Sequence, residues 1–288
     1  MKALHQIRLA TAVSLLGVMG AARAAVESIP GGPQTWGLYF QNPVSPIAKQ
    51  EQFLMDMMLW VCLGIGIVVF GAMFYSVFKH RKSKGAVAAH FHESTKVEIA
   101  WTIIPILIVI AILIPATRTV IAQENHSDSF MTVKATGAQW KWGYDYMAGP
   151  GKGISFWSTL TTPYSEIYEG KNLPNNFVLA VDHELVVPVD KKIKIVTTSD
   201  DVLHGFYVNS LGVQMDAIPG FVRSTWFTAE KTGTYYGQCA QICGKYHAFM
   251  PIVIKVVTMP EYEQWVAQWK KAHPDSTPPA DGAAPSKT

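Results

Sequence analysis

Residues 237–250 read GQCAQICGKYHAFM, which sets Cys239, Cys243, His247 and Met250 in succession at intervals of four, four and three residues. A second histidine, His204, stands upstream in the run TSDDVLHGF. Two thiols, two imidazoles and a thioether form a soft, electron-rich set of donors. Such a set suits copper, and histidine, cysteine and a weak methionine are the ligands of electron-transfer copper sites. Calcium and magnesium call for oxygen instead. Zinc is the rival metal, because two cysteines and two histidines are also a structural zinc set. A disulfide between Cys239 and Cys243 is the usual fate of two exported cysteines. It would leave His204, His247 and Met250 unexplained, and closing so short a loop adds little chain-entropy stabilisation.

Outward from this stretch the chain has the texture of a β domain. Runs rich in β-branched and aromatic residues fall at 131–135, 139–146, 177–181, 185–189, 192–197, 224–228, 233–238 and 251–257. Short strands at this spacing predict a sandwich or barrel over 123–273. Trp140, Trp142, Tyr144 and Tyr146 alternate and so share one face of a strand, which for the last three reads as a hydrophobic sheet face. Pro260 opens a terminal helix that places Tyr262, Trp265 and Trp269 on one side. Residues 274–288 are rich in Pro, Ala, Ser and Asp and form a tail that cannot bury a core.

The chain has 288 residues, of which 49% are hydrophobic and 16% charged, against roughly a quarter charged in soluble proteins. That balance points to a membrane, and a net charge of +3 is too small to argue for nucleic acid. Two segments reach the ~20 apolar residues that a bilayer requires, at about 55–78 and 98–118, and form a hairpin within 53–122. Both are apolar all round, without the spacing of an amphipathic helix. Lys79, Arg81, Lys82, Lys84 and Lys96 crowd the connection 79–97, which the positive-inside rule places in the cytoplasm. Cys62 lies in the first span, where it is expected as a small buried apolar residue.

At the start of the chain, Lys2 and Arg8 precede a short apolar stretch, and Ala22, Arg23 and Ala24 supply the small-x-small pattern of a cleavage site. Residues 1–24 therefore read as an export signal, with 25–52 a segment outside the cytoplasm. Signal and loop charge agree on a bacterial inner-membrane protein whose β domain lies in the periplasm.

His204 followed by C-x-x-x-C-x-x-x-H-x-x-M resembles the binuclear copper A site of cytochrome c oxidase subunit 2. Similar elements are E-x-x-W-T-x-x-P at Glu98, Trp101, Thr102 and Pro105, the Q-W-x-W-x-Y-x-Y run, D-V-L-H, and D-A-x-P-G at 216–220. The resemblance implies a two-helix transmembrane hairpin followed by an all-β cupredoxin-like Greek-key barrel docked on the catalytic subunit. It implies two copper ions bridged by Cys239 and Cys243, capped by His204 and His247, with Met250 and the backbone carbonyl of Gln241 as further ligands. Trp140 matches the tryptophan at which electrons enter from cytochrome c, and Glu98 matches the glutamate at the mouth of a proton path. The implied activity is that of the electron-input subunit of cytochrome c oxidase. Electrons pass on to haem in subunit 1, where oxygen is reduced to water and protons are translocated, with subunit 3 as a further partner.

The chain departs from the pattern at Gln241, where many relatives carry a glutamate that binds magnesium at the subunit 1 contact. An amide oxygen is a poorer ligand, so magnesium is implied less firmly than copper. Phe221 stands where many relatives have an arginine, and from residue 126 onward acidic and basic residues nearly cancel, so the acidic docking face is less evident. Asp200 and Asp201 are candidates for attracting a basic cytochrome, or plain surface carboxylates. A quinol oxidase subunit would lack the copper ligands, nitrous oxide reductase would need a large second domain, and a copper carrier would need neither Trp140 nor Glu98. There is no C-x-x-C-H, so no covalent haem is expected in this chain.

Overall fold

The computed structural model describes residues 29–274 except 35–36, 88–89, 91 and 171–172. The expected export signal at 1–24 and all but the first residue of the expected tail lie outside the described residues.

Helix α1, Pro46–Lys79, starts on a Ser45 cap whose hydroxyl accepts from the Ala48 N–H at 3.0 Å, with Pro46 in the first turn. The same hydroxyl donates to the Leu211 carbonyl at 2.7 Å, and Ile47 and Ala48 are buried. The helix thus begins inside the segment expected to precede the hairpin, because its first turn is packed on the β domain. At ~1.5 Å per residue its 34 residues run about 50 Å, longer than the ~30 Å hydrocarbon layer. A 3-10 turn at Lys82–Lys84 leads on to helix α2, Thr95–Gln123, which contains Pro105 and Pro115. Both helices are long and apolar enough to cross a membrane. Their large apolar side chains are exposed along the length of the hairpin, as lipid-facing surface requires. Cys62 is among the exposed residues of α1, not the buried ones, since among the described residues nothing packs over it.

The β domain comprises β1 (Met131–Ala138), β2 (Lys141–Ala148), β3 (Ser155–Ser158), β4 (Leu185–Pro188), β5 (Lys192–Ser199), β6 (His204–Val208), β7 (Val213–Ala217), β8 (Arg223–Thr228), β9 (Gly233–Cys239) and β10 (Pro251–Val257). Among the described residues they form two five-stranded sheets, β3-β2-β1-β5-β8 and β4-β10-β9-β6-β7. The β1–β5 and β4–β10 pairs are parallel and the other pairs antiparallel. Strand β5 buries every second residue, so Ile193 and Ile195 face a core shared with Val133, Trp142, Phe206 and Ile254. The hairpin followed by a cupredoxin-like β domain, expected from the sequence, is the observed fold.

Local expectations differ in three places. The run 177–181 is not a strand: Phe177 N–H donates to the Pro174 carbonyl and Leu179 N–H to that of Asn176, so Pro and Asn fold it into turns. Strands β3, β6 and β7 fall outside the expected runs: β3 is only four residues long, and β6 and β7 are five-residue strands carrying Gly and His or Gln and Asp. Strand β2 starts at Lys141, so Trp140 does not share the strand face of Trp142, Tyr144 and Tyr146, which are buried in the core. Trp140 sits instead in the β1–β2 turn, after a cis Gln139–Trp140 peptide.

Two helices complete the domain. Helix α3, Tyr164–Glu169, lies between β3 and β4, and helix α4, Met259–Ala272, starts on a Thr258/Glu261 capping box. Tyr262 of α4 is fully buried, and Trp265 and Trp269 pack on the core beside it.

Candidate metal centre

Four loop and strand ends converge at one end of the barrel. His204 is the first residue of β6 and fully buried; Cys239 is the last of β9; Cys243 lies in the loop; Met250 immediately precedes β10. His247 is half-buried in a 3-10 turn, His247–Phe249, closed by the His247 N–H on Gly244 O and the Phe249 N–H on Tyr246 O. The loop is anchored where Ala240 N–H donates to Gly205 O at 2.9 Å. That approach needs glycine, since a Cβ at 205 would lie 3.0 Å from both Ala240 Cβ and Gln241 N.

The two sulfurs are 3.9 Å apart. His204 Nδ1 lies 3.9 Å from Cys239 Sγ, whereas His247 Nδ1 and Met250 Sδ lie 3.5 and 3.6 Å from Cys243 Sγ. The Gln241 carbonyl is 3.3 Å from Cys239 Sγ. With metal–sulfur bonds of ~2.3 Å and metal–nitrogen bonds of ~2.0 Å, tetrahedral ligands on one ion stand about 3.5 Å (S···N) and about 3.8 Å (S···S) apart. The observed spacings fit that set. One imidazole flanks each sulfur, so the arrangement can serve two ions that share both sulfurs.

The electrostatics favour a cation here. Burial pushes the Cys239 thiol up, but hydrogen bonds with His204 and neighbouring backbone outweigh it and hold the thiol below its ordinary value. Burial, then the charge of Cys239, drives the Cys243 thiol up to about 12. A second buried thiolate beside the first thus needs positive charge brought to it.

Asp201 accepts from His204 Nε2 at 2.8 Å, from Gln139 N–H at 2.7 Å and from Val202 N–H at 2.6 Å. Burial opposes its charge, yet these bonds prevail and hold the carboxyl below the usual carboxylate range. The His204 imidazole is correspondingly raised: burial lowers it, and Cys239 and Asp201 more than compensate. Asp201 therefore orients a donor imidazole and fixes which nitrogen faces the sulfurs. Its spacing three residues before His204 in D-V-L-H is the sequence signal for this role. Gln139, whose Nε2 donates to Cys243 O at 2.8 Å, had no such signal.

Trp140 is half-buried beside the loop, its Nε1 donating to Cys243 O at 3.3 Å and its ring meeting Tyr246 edge-on at 4.8 Å. Gln241 turns its Nε2 to Asp216 Oδ1 at 3.0 Å, so the donor side of this amide faces the nearest carboxylate. Glu98 is not part of the centre: it is exposed in the first turn of α2, about 37 Å along the helix from the Gln123 end that meets the barrel. That junction is made by Trp226 Nε1, which donates to Ala122 O and Gln123 O. Leu203 and Ile242, next in sequence to His204 and Cys243, are exposed, Ile242 at 87%, as are Phe221 and Val222 between β7 and β8.

A largely buried nest of two thiols, two imidazoles and a thioether that could hold a metal, at one end of a cupredoxin-like domain that follows two membrane-length helices, defines the class of membrane-anchored cupredoxin-like proteins. Within that class, the chain belongs to the cytochrome c oxidase subunit II family. The model of the family's periplasmic domain matches residues 131–257 and that of its transmembrane domain matches residues 33–118. Cytochrome c oxidase subunit 2 of Cereibacter sphaeroides is 36% identical over 89% of this chain and 89% of its own length. The counterpart from Metridium senile is 35% identical over 81% of this chain and 90% of its own. The crystal structure of the periplasmic domain of subunit II of cytochrome oxidase of Bradyrhizobium japonicum is 44% identical, covering 50% of this chain and 96% of that one, with a TM-score of 0.43.

Proposed function

We propose that this chain is the electron-input subunit of its oxidase, accepting single electrons from cytochrome c and delivering them to haem in subunit 1. The observation that carries this reading is the convergence of four further donors, from His204, His247, Met250 and the Gln241 carbonyl, on two cysteine sulfurs 3.9 Å apart. Cys239 and Cys243 as thiolates, His204 and His247 as imidazoles, Met250 and the Gln241 carbonyl would hold the copper A group. When bound, that group would supply a one-electron acceptor and donor.

The residues around it serve that exchange. Asp201 and Gln139 fix the His204 ring and the Cys243 carbonyl in place. Trp140, in contact with that carbonyl and partly open to solvent, is the entry point for the electron. The apolar rim of Leu203, Phe221, Val222 and Ile242 seats the centre on subunit 1 and excludes water from the exit path. Magnesium gains no anionic ligand from Gln241, whose amide is engaged with Asp216.

Glu98, on the membrane-edge turn of α2 far from the metal nest, gathers protons at the cytoplasmic mouth of a path into subunit 1. Residues 1–24 act as a cleaved export signal, the hairpin lies in a bacterial inner membrane, and subunits 1 and 3 complete the complex.

Metal analysis and electron paramagnetic resonance on the detergent-purified chain test the assignment. Two coppers per chain with one unpaired electron shared equally between them are expected. A single zinc, a mononuclear blue copper signal, or a metal-free chain with Cys239 bonded to Cys243 would overturn it.

A further inference from the structure

The outer side of the ligand loop carries an aromatic array that contributes no metal donor. Tyr246, in the loop between Cys243 and His247, stacks face to face on Tyr164 of α3, with centroids 4.1 Å apart and planes within 2°. Its edge contact with Trp140 is near perpendicular, at 86°. Phe249 and Tyr168 flank the stack at 6.3 and 6.4 Å from Tyr246. The Trp140 indole also lies against Gly244 of the same loop, where a Cβ would stand 3.3 Å from Trp140 Cζ2.

Trp140 sits in a turn, and on the loop side a single hydrogen bond at 3.3 Å orients its ring. One long hydrogen bond does not confine an indole with two rotatable side-chain bonds. Tyr246 supplies a second contact, edge-on to the indole, and the stack with Tyr164 keeps the Tyr246 ring from swinging away. Helix α3, an excursion between β3 and β4, thereby reaches the metal end of the barrel.

We propose that Tyr246, backed by Tyr164, is a positioning residue for electron entry, holding the Trp140 indole against the Cys243 carbonyl. This rests on the reading of Trp140 as the entry point. One electron leaves a reduced haem donor, which is oxidised by one unit, and arrives at the metal centre, which is reduced by one. Tyr246 and Tyr164 keep their charge and their bonds throughout.

The test uses the intact oxidase complex containing this chain, with variants Tyr246→Ala, Tyr246→Phe, Tyr164→Ala and Trp140→Phe. Loss of one edge-on or stacked ring contact shifts a local equilibrium by about twofold to tenfold. The two alanine variants should therefore lower kcat for cytochrome c oxidation by about twofold to tenfold with KM unchanged, and Tyr246→Phe should restore it. A second readout does not depend on activity. In the full chain labelled with fluorotryptophan, the Trp140 fluorine resonance, assigned by its loss in Trp140→Phe, should move towards the solvent-exposed position in both alanine variants. Should Tyr246→Ala disturb the copper signal, Tyr164→Ala, outside the ligand loop, decides the matter. Slow entry in Trp140→Phe with full kcat and an unmoved resonance in the alanine variants overturns the positioning role alone. Full activity in Trp140→Phe overturns the entry reading beneath it. Failure of Tyr246→Phe to restore kcat overturns the argument from ring packing.

Discussion

Gly137→Ala isolates one steric contact behind the metal site. A Cβ built on Gly137 would lie 2.7 Å from His204 Cδ2 and 2.8 Å from its Cβ and Cγ. Carbon atoms at rest stand at least ~3.5 Å apart, so the contact is short by about 0.8 Å. The backbone on the other side of this gap is held, since Gly137 is paired in β1 with Trp142 on one side and Ser199 on the other. It is not among the glycines with positive φ, so alanine brings no backbone strain of its own. The ring must therefore move. It is fully buried, bonded to Asp201 on one nitrogen and edge-on to Trp142 at 6.0 Å. Ligand distances in a metal site hold to ~0.2 Å, so a shift of about 0.8 Å takes His204 out of the donor set. Overpacking of this kind also costs about 1–3 kcal/mol of fold stability. Copper per chain, the paramagnetic spectrum and the thermal midpoint of the metal-free chain together provide the assay. A variant that binds the same copper, with the same spectrum and the same midpoint, refutes the placement of His204 behind Gly137.

Asp201→Asn keeps the side chain's shape but removes the charge on the far side of His204. Copper affinity, read by competition with a chelator of known affinity, should fall by ~10–100-fold, and an unchanged affinity would remove Asp201 from its orienting role. Gln241→Glu sets a carboxylate beside Asp216 in place of the amide that donates at 3.0 Å. The variant should melt earlier than the parent without divalent cations and regain stability with magnesium, and manganese titrated into it should show a bound spectrum absent from the parent. Equal manganese binding by both chains would contradict the reading of Gln241. Finally, copper removed in air should leave one titratable thiol of the three, because Cys239 and Cys243 are close enough to bond on side-chain rotation while Cys62 lies apart on α1. Copper uptake should then require a reductant, and uptake by the air-oxidised chain would argue against two thiolate ligands.

Much of the molecule is a matter of local pattern. The donor residues are legible because Cys239, Cys243, His247 and Met250 fall in one short segment, where spacing alone brings them within reach of a common point. The membrane hairpin is legible because a run of apolar residues long enough to span a bilayer has few other uses. The alternation in β5 shows its buried face directly, whereas β6 carries a histidine and a glycine for reasons that lie elsewhere in the fold. Its His204 belongs to the metal nest and its Gly205 makes room for Ala240, so neither obeys strand preference.

Tertiary structure alone decided what surrounds those donors. Asp201 has a signal in its spacing to His204, but only the β5–β6 turn puts its carboxylate on Nε2, and Gln139 has no meaning until the β1–β2 turn meets the ligand loop. Trp140 follows the alternation of its neighbours in sequence, but the turn takes it off the sheet face and onto Cys243. Tyr164 lies 82 positions from Tyr246, yet the two rings stack. Sequence patterns report periodicity within one element and ligand spacing within one loop. Contacts between loops depend on where two sheets bring the ends of distant strands together, and no local pattern encodes that.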